Sequence, residues 1–460
     1  MMRFLNLTRQ IGIGANSYVL EIGGRRLVLD GGLHPKREGT EALPDYPLIP
    51  DDSVDAVLLS HAHQDHVGAV PVLMRRHPRA PLFASEPTRR IAEIMLHNSV
   101  NVMLRMRAER GVSAYPLFTH REVDAQFRRW NTVPLNRRWT LEGERLSPGE
   151  ESPLSFEFYD AGHILGSVGT LIRSEGRTVF YTGDVNFDDQ TLSRGASFPE
   201  EPLDVLIVET TRGDRALPPG FTRGAEEQRL AAALAQAFLR GGTVLIPVFA
   251  LGKTQELLGM LTGMQERGEL PPGFPVYIGG LSTRITEMYD ELARQWPRRR
   301  PELKLLEAIS PFVVSGREVD GLPLKAGRVY ALTSGMMSEN TLSNVFAERL
   351  IGQRAHHLFF IGYADPDSPG GRIKAAAPGE GVALEAGGRE TPLRAHVEDF
   401  NFSAHASRES LRAWIGRVRP KKVLLVHGDQ PAIDWFRTTL EADLPGSEIR
   451  APEPGEWITL

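Results

Sequence analysis

Short runs of β-branched and aliphatic residues open the chain. Residues 17–22 and 26–30 are two such runs, and the Gly23-Gly24 pair between them is a hairpin signal. Residues 55–60 form a third, apolar enough for a buried strand. The period then lengthens. Val67, Val70, Leu73 and Met74 recur at helical spacing and predict one helix after His66, while the Arg-rich stretch 97–140 reads as an irregular helical excursion. Strand patterns return at 155–159, 170–173, 178–182 and 204–209. Beyond them helix and strand alternate: a helix over 225–239, a strand at 243–248, a helix over 254–266, then strands at 276–278, 329–333 and 358–361. That alternation predicts a parallel α/β sheet. Past Gly370-Gly371 the pattern returns to β at 381–384 and 395–400, and a helix over 408–417 and a strand at 422–426 follow.

Length adds to this picture: 460 residues exceed one ordinary core, so two domains are expected. No apolar run approaches the roughly 18 residues of a membrane helix. The opening residues lack the apolar core of a signal peptide, and a cytoplasmic location is expected. Cysteine is absent, which excludes disulfides. Any zinc site must then use His and carboxylates, the donor set of catalytic rather than structural zinc. A net charge of −5 opposes nucleic acid as a partner in bulk, although a site holding cations is locally positive.

The candidate chemistry begins where the 55–60 strand ends, in His61-Ala62-His63-Gln64-Asp65-His66. On an extended segment, residues two apart point the same way, so His61 and His63 can grip one cation. The turn into a helix brings Asp65 and His66 toward a second. Asp160-Ala161-Gly162-His163 sets another imidazole in a glycine-flanked loop. Tyr181-Thr182-Gly183-Asp184 ends a strand on a carboxylate, whose two oxygens can bridge two cations. Alone, Asp184 would read as a turn residue; beside the hexapeptide it reads as a ligand.

In order and spacing these motifs resemble the metallo-β-lactamase superfamily, and the later chain resembles its β-CASP branch of nucleases. The resemblance implies an α/β fold: a metallo-β-lactamase αββα sandwich with an inserted β-CASP α/β domain, divided as 1–210, 211–393 and 394–460. It implies two zinc ions, one held by His61, His63 and His163, the other by Asp65, His66 and His427, with Asp184 bridging. Asp30, in Leu29-Asp30-Gly31-Gly32, would support the ligands without touching metal. Glu209 matches the acidic residue that closes the strand after the bridging aspartate. His405, in Phe402-Ser403-Ala404-His405, matches an essential His that is not a ligand. The implied reaction is hydrolysis of RNA phosphodiesters by a hydroxide activated by the two ions, with Asp184, Glu209 and His405 as catalytic residues and His405 as general acid. Ser334, Gly335 and Met336, at a strand-to-helix junction, and Ser403 would hold phosphate. A His at position 427 is typical of RNA-processing members, where DNA-repair members carry Val. The expected partner is therefore RNA, single-stranded rather than duplex, with no membrane; endo- or exonucleolytic cleavage and a homodimer are left open.

Three positions depart from the family pattern. Ser407 stands where an acidic residue usually follows the essential His, with Glu398 or Glu409 as candidate substitutes. Ser338-Glu339-Asn340 replaces a glycine pair, and Arg212 replaces an aromatic residue. These departures sustain two alternatives: a metallo-hydrolase of small esters, thioesters or non-polymeric phosphodiesters, and a non-catalytic RNA-binding scaffold. Glu209 could also pair with Arg212 or Arg215. The segments Arg128-Arg129-Trp130 and Arg137-Arg138-Trp139 read as solvated surface before they read as an RNA approach.

Overall fold

The computed structural model describes residues 2–460, which form two units. The first comprises residues 2–189, Ser193–Leu217 and Ala404–Leu460; the second comprises Gln190–Leu192 and Pro218–Ser403.

The first unit holds two seven-stranded sheets. One runs in the order Trp457–Thr459, Arg3–Asn6, Tyr18–Ile22, Arg25–Leu29, Ala56–Leu58, Leu82–Ala84, Trp130–Thr132. The other runs Glu448–Arg450, Lys422–Val426, Val205–Glu209, Arg177–Tyr181, Val168–Ser174, Leu154–Asp160, Arg138–Trp139. Buried aromatic pairs join them: Tyr18 meets Tyr181 with ring centroids 5.9 Å apart, and Phe83 meets Phe156 at 4.9 Å. The helices Arg408–Val418 and Gln430–Asp443 pack on the second sheet through Trp414, Ile415, Phe436 and Leu440, against Phe180, Leu206, Val208 and Leu425. Each large apolar side chain so buried contributes roughly 1.5–3 kcal/mol.

Strand ends collect the chemistry. The parallel pairing of Val205–Glu209 with Lys422–Val426 sets Glu209 opposite Val426, so His427 follows directly beside it. Arg25–Leu29 pairs with Ala56–Leu58, placing Asp30 next to the segment that enters the hexapeptide. Tyr181 ends its strand three residues before Asp184.

The helix expected after His66 is two short helices, Gln64–Val67 and Val70–Arg76. Gly68 and Pro71 explain the break: a Cβ at Gly68 would lie 2.5 Å from the Gln64 carbonyl oxygen, and Pro71 fits only a first turn. The excursion is more regular than its sequence suggested. A 25-residue helix, Glu86–Arg110, begins where the Ser85 hydroxyl accepts the Thr88 N–H and stops at Gly111 in the left-handed region. The helix His120–Phe127 follows, opened by a reciprocal Thr119/Glu122 capping box. Trp130 is buried and stacks on Phe127, so its indole belongs to the core.

The second unit is built on an all-parallel six-stranded sheet, ordered Phe312–Val314, Val276–Gly279, Arg328–Leu332, Thr243–Pro247, His357–Phe360, His396–Asp399. Intervening helices include Arg223–Leu239, Lys253–Glu266, Gly280–Glu291 and Leu342–Leu350. Leu245, Tyr330, Leu332, Phe346, Leu358 and Phe360 form part of its core. Gly370-Gly371 lies inside the helix Pro369–Ala375, where a Cβ at Gly371 would fall 2.0 Å from the Asp365 carbonyl oxygen. Among the described residues no helix is long and apolar enough to cross a membrane.

Candidate metal centre

The hexapeptide, the His163 loop, Asp184 and His427 converge within the first unit. Three imidazole nitrogens form one triangle: His61 Nε2 and His163 Nε2 each lie 3.1 Å from His63 Nδ1. Asp184 Oδ2 completes it, 3.4 Å from His61 Nε2 and 3.5 Å from His163 Nε2. The other Asp184 oxygen faces a second group. Oδ1 lies 3.2 Å from His66 Nε2, and Asp65 Oδ2 lies 3.3 Å from His427 Nε2. Ligand atoms at the corners of a zinc tetrahedron stand roughly 3.3 Å apart, so these spacings fit a cation in each group. A second observation agrees: Asp184 Oδ1 is buried and accepts no hydrogen bond, which is costly for a carboxylate unless a cation faces it.

Three of the rings are aimed by their far sides. Asp30 is fully buried and accepts the Ser60 N–H, the Ser60 hydroxyl, the Tyr181 hydroxyl and, at 2.7 Å, His66 Nδ1–H. Ser60 Oγ, having donated to Asp30, accepts from His61 Nδ1 at 3.0 Å. His163 Nδ1–H donates to the Ala404 carbonyl at 2.8 Å. These bonds turn Nε2 of His61, His66 and His163 toward the cluster as acceptors, the form a metal requires, with the Asn16 side-chain N–H 3.2 Å from His66 Nε2. Asp30 and His427 hold left-handed backbone, at φ 60° and 49°, a conformation that costs an L-residue roughly 1–2 kcal/mol.

The helix Glu86–Arg110 buttresses two of these segments. Gln64 Nε2 donates to Ser99 Oγ at 2.7 Å and to the Met95 carbonyl at 3.3 Å. Ser85 and Thr88 donate their hydroxyls to the Gly166 carbonyl in the His163 loop. Asn16 holds the other side, giving both its backbone and side-chain N–H to the Asp65 carbonyl.

Burial pushes His61, His63 and His163 below the usual imidazole range, which keeps them neutral and able to bind metal. Burial would raise Asp184, but the His427, His66 and His61 imidazoles outweigh it and hold the carboxyl well below its ordinary value. His66 moves the other way, because Asp184, Asp30 and Asp65 overcome the effect of burial.

His405 stands beside the cluster without joining either group. Its Nδ1 lies 3.1 and 3.0 Å from the two Glu209 oxygens, and its Nε2 lies 4.0 Å from Asp184 Oδ2. Glu209 is itself fixed by the Val185 N–H at 2.6 Å. The carboxylate that orients His405 is therefore Glu209, while Ser407 caps the following helix by accepting the Ser410 N–H. Glu398 pairs with His396 and Arg229, and Glu409 with Arg408. Glu339 accepts the Ala386 N–H at 2.7 Å.

Ser334, Gly335, Met336 and Ser403 belong to the second unit. The Ser334 segment is a loop between Arg328–Leu332 and Leu342–Leu350 rather than a direct junction. Two of its N–H groups are used internally: Met337 donates to the Ser334 carbonyl and Ser338 to Ser334 Oγ. Sequence reasoning did not reach Ser60, Gln64, Asn16 or Tyr181 as supports. Ser60, Gln64 and Tyr181 lie within or next to the quoted motifs, whereas Asn16 carries no sequence signal of its role.

Three family descriptions match the chain: the metallo-β-lactamase superfamily over residues 11–88, the β-CASP domain over 254–373, and a Zn-dependent metallo-hydrolase RNA specificity domain over 390–452. The ribonuclease TTHA0252 of Thermus thermophilus is 31% identical over 460 residues, covering 97% of each chain. A probable RNase of Methanocaldococcus jannaschii is 27% identical, also with 97% of each covered. The endoribonuclease ysh1 of Schizosaccharomyces pombe is 28% identical over 98% of this chain, which spans only 57% of that longer protein. A solved protein of unknown function from Enterococcus faecalis shares the fold, with a TM-score of 0.60 at 14% identity and full coverage of both chains. The chain belongs to the metallo-β-lactamase superfamily, in its β-CASP branch. Membership carries divalent-metal binding with it, in keeping with the His and Asp groups described above.

Proposed function

We propose that this chain is a zinc-dependent ribonuclease that hydrolyses RNA phosphodiesters at a two-ion site. The observation that carries the reading is the division of Asp184, one oxygen toward His61, His63 and His163, the other toward His66 and the Asp65/His427 pair. Bound there, two cations would stabilise charge on the phosphoryl oxygens and lower the pKa of the attacking water.

The protein's own groups supply the rest. Asp30, Ser60 and the Ala404 carbonyl hold the imidazoles at fixed angles, so little reorganisation accompanies the reaction. Glu209 keeps the Nδ1 proton of His405 engaged and leaves Nε2 facing the cluster. That nitrogen delivers a proton to the departing ribose oxygen, a poor leaving group without one. Ser334, Gly335, Met336 and Ser403 are proposed to engage the substrate backbone. Support for RNA comes from the relatives named as ribonucleases and from the RNA specificity description of residues 390–452.

The test compares end-labelled RNA, DNA of the same sequence and a small-ester panel as substrates, for wild type and Asp184→Asn. RNA should be cut fastest and D184N should be inactive on it. Turnover confined to small esters, at every RNA length tried, would replace the proposal with the small-molecule hydrolase reading.

A further inference from the structure

We propose a second, non-catalytic cation site between the helices Glu86–Arg110 and His120–Phe127, with Glu93, His97 and Asp124 as its ligands and a zinc-like divalent transition ion as its occupant. Glu93 and His97 stand one turn apart on one helix, and His120 and Asp124 one turn apart on the other, a spacing that puts each pair on one face. One ligand atom from each of Glu93, His97 and Asp124 lies within 4.8 Å of the others. His97 Nε2 is 3.1 Å from Asp124 Oδ1.

The positions of the imidazole protons point to the occupant. Asn101 presents its carbonyl Oδ1 to His120 Nε2 at 3.2 Å. That nitrogen therefore carries the hydrogen, and Nδ1 of a neutral His120 is an acceptor. His97 Nδ1 lies 2.8 Å from it and must donate. A neutral His97 is then left with its Nε2 lone pair 3.1 Å from Asp124 Oδ1, with a Glu93 carboxylate in the same group. Lone pair and carboxylate oxygen repel at such a distance, so a cation belongs between them. The far-side bond from Nδ1–H is the arrangement that metal-binding histidines have. One imidazole with two carboxylates suits zinc, manganese or cobalt better than calcium or magnesium, which take all-oxygen shells.

The site has a mechanical consequence. Met95 and Ser99, the anchors of Gln64, lie on the same helix turns as Glu93 and His97. An ion joining the two helices stiffens the element that supports the catalytic hexapeptide without touching any of its ligands. Such a site would fill whatever substrate the catalytic cluster takes.

The competing occupant is a proton, which would make His97 an imidazolium paired with Asp124. Zinc content and affinity of the full-length protein, for wild type, His97→Gln and His120→Phe, separate the two. H97Q should hold one zinc equivalent fewer than wild type while keeping the ions of the catalytic cluster. H120F should bind the extra ion about 10- to 100-fold more weakly, having lost only the bond that orients His97. Equal zinc stoichiometry and affinity in wild type and H97Q would overturn the proposal. Imidazole ¹⁵N shifts of zinc-saturated wild type need no variant. A metal-bound Nε2 with protonated Nδ1 at His97 is expected, and a doubly protonated ring would refute the site.

Discussion

Glu209 and His405 meet at 3.0 Å from strand and loop segments nearly two hundred residues apart in sequence, and the proposed chemistry turns on that contact. Proton donation matters only when the leaving group is a strong base. His405→Ala should slow cleavage of natural RNA by roughly 10²–10⁴. A phosphodiester with a nitrophenolate leaving group should hardly be affected, and the zinc content of the catalytic cluster should stay at the wild-type level. Equal losses on both substrates would mean that His405 positions phosphate or holds structure instead. Glu209→Gln should give a smaller loss with the same substrate pattern, since the amide can still accept from Nδ1 but carries no charge. At this scale the grouping of the candidate ligands was legible because His and Asp in one hexapeptide leave few bland explanations. The orienting groups were not, because a Ser or Asn acquires its role only from the ring placed against it. The loss of the acidic residue at Ser407 looked like a defect in sequence. In space Glu209 already occupies the Nδ1 side of His405, and Ser407 serves as a helix cap instead.

Among the elements, the tightest junction is the one between Asp30-Gly31-Gly32 and the hexapeptide. A Cβ at Gly32 would lie 1.7 Å from the Asp65 carbonyl oxygen and 2.7 Å from the Asn16 nitrogen. Both are backbone atoms and cannot swing aside. Gly32→Ala should therefore displace Asp65 and lower metal content, a loss that metal analysis of folded protein would detect; wild-type metal content would show that the segment can yield. The sheet of the second unit offers a pH test. Burial, helped by His396 and Arg240, lowers the His357 imidazole to about 4. The unfolded chain takes up that proton near the ordinary value of about 6.5. Stability fully present above pH 6.5 should thus be lost as pH falls toward 4, and His357→Asn should flatten that slope in denaturant titrations. The central parallel strands of this unit, Thr243–Pro247, Arg328–Leu332 and His357–Phe360, were readable because they are buried almost throughout and their apolar runs are continuous. The split after His66 and the long helix Glu86–Arg110 were read less well. Gly68 breaks the first for reasons of backbone contact that periodicity does not encode. The second mixes Arg and apolar residues so evenly that its stripe is faint, although Ser85, Pro87 and Gly111 mark its ends.

For the molecule as a whole, the net charge of −5 means that an RNA chain must be drawn by local rather than overall potential. Contacts to several phosphates release counterions, so RNA cleavage at limiting substrate should fall about tenfold or more between about 50 and 200 mM salt. A rate indifferent to salt would argue against a polymeric anion as substrate. The central claim, however, is that the Asp184-centred cluster hydrolyses RNA only when it holds metal. The most direct measurement strips the protein with chelator, adds zinc back in steps, and follows cleavage of a labelled RNA alongside bound metal. The apoprotein should leave RNA intact, and activity should return as the cluster fills and level off once two equivalents occupy it. Cleavage by metal-free protein, or intact RNA in the presence of folded protein with a fully loaded cluster, would contradict the account.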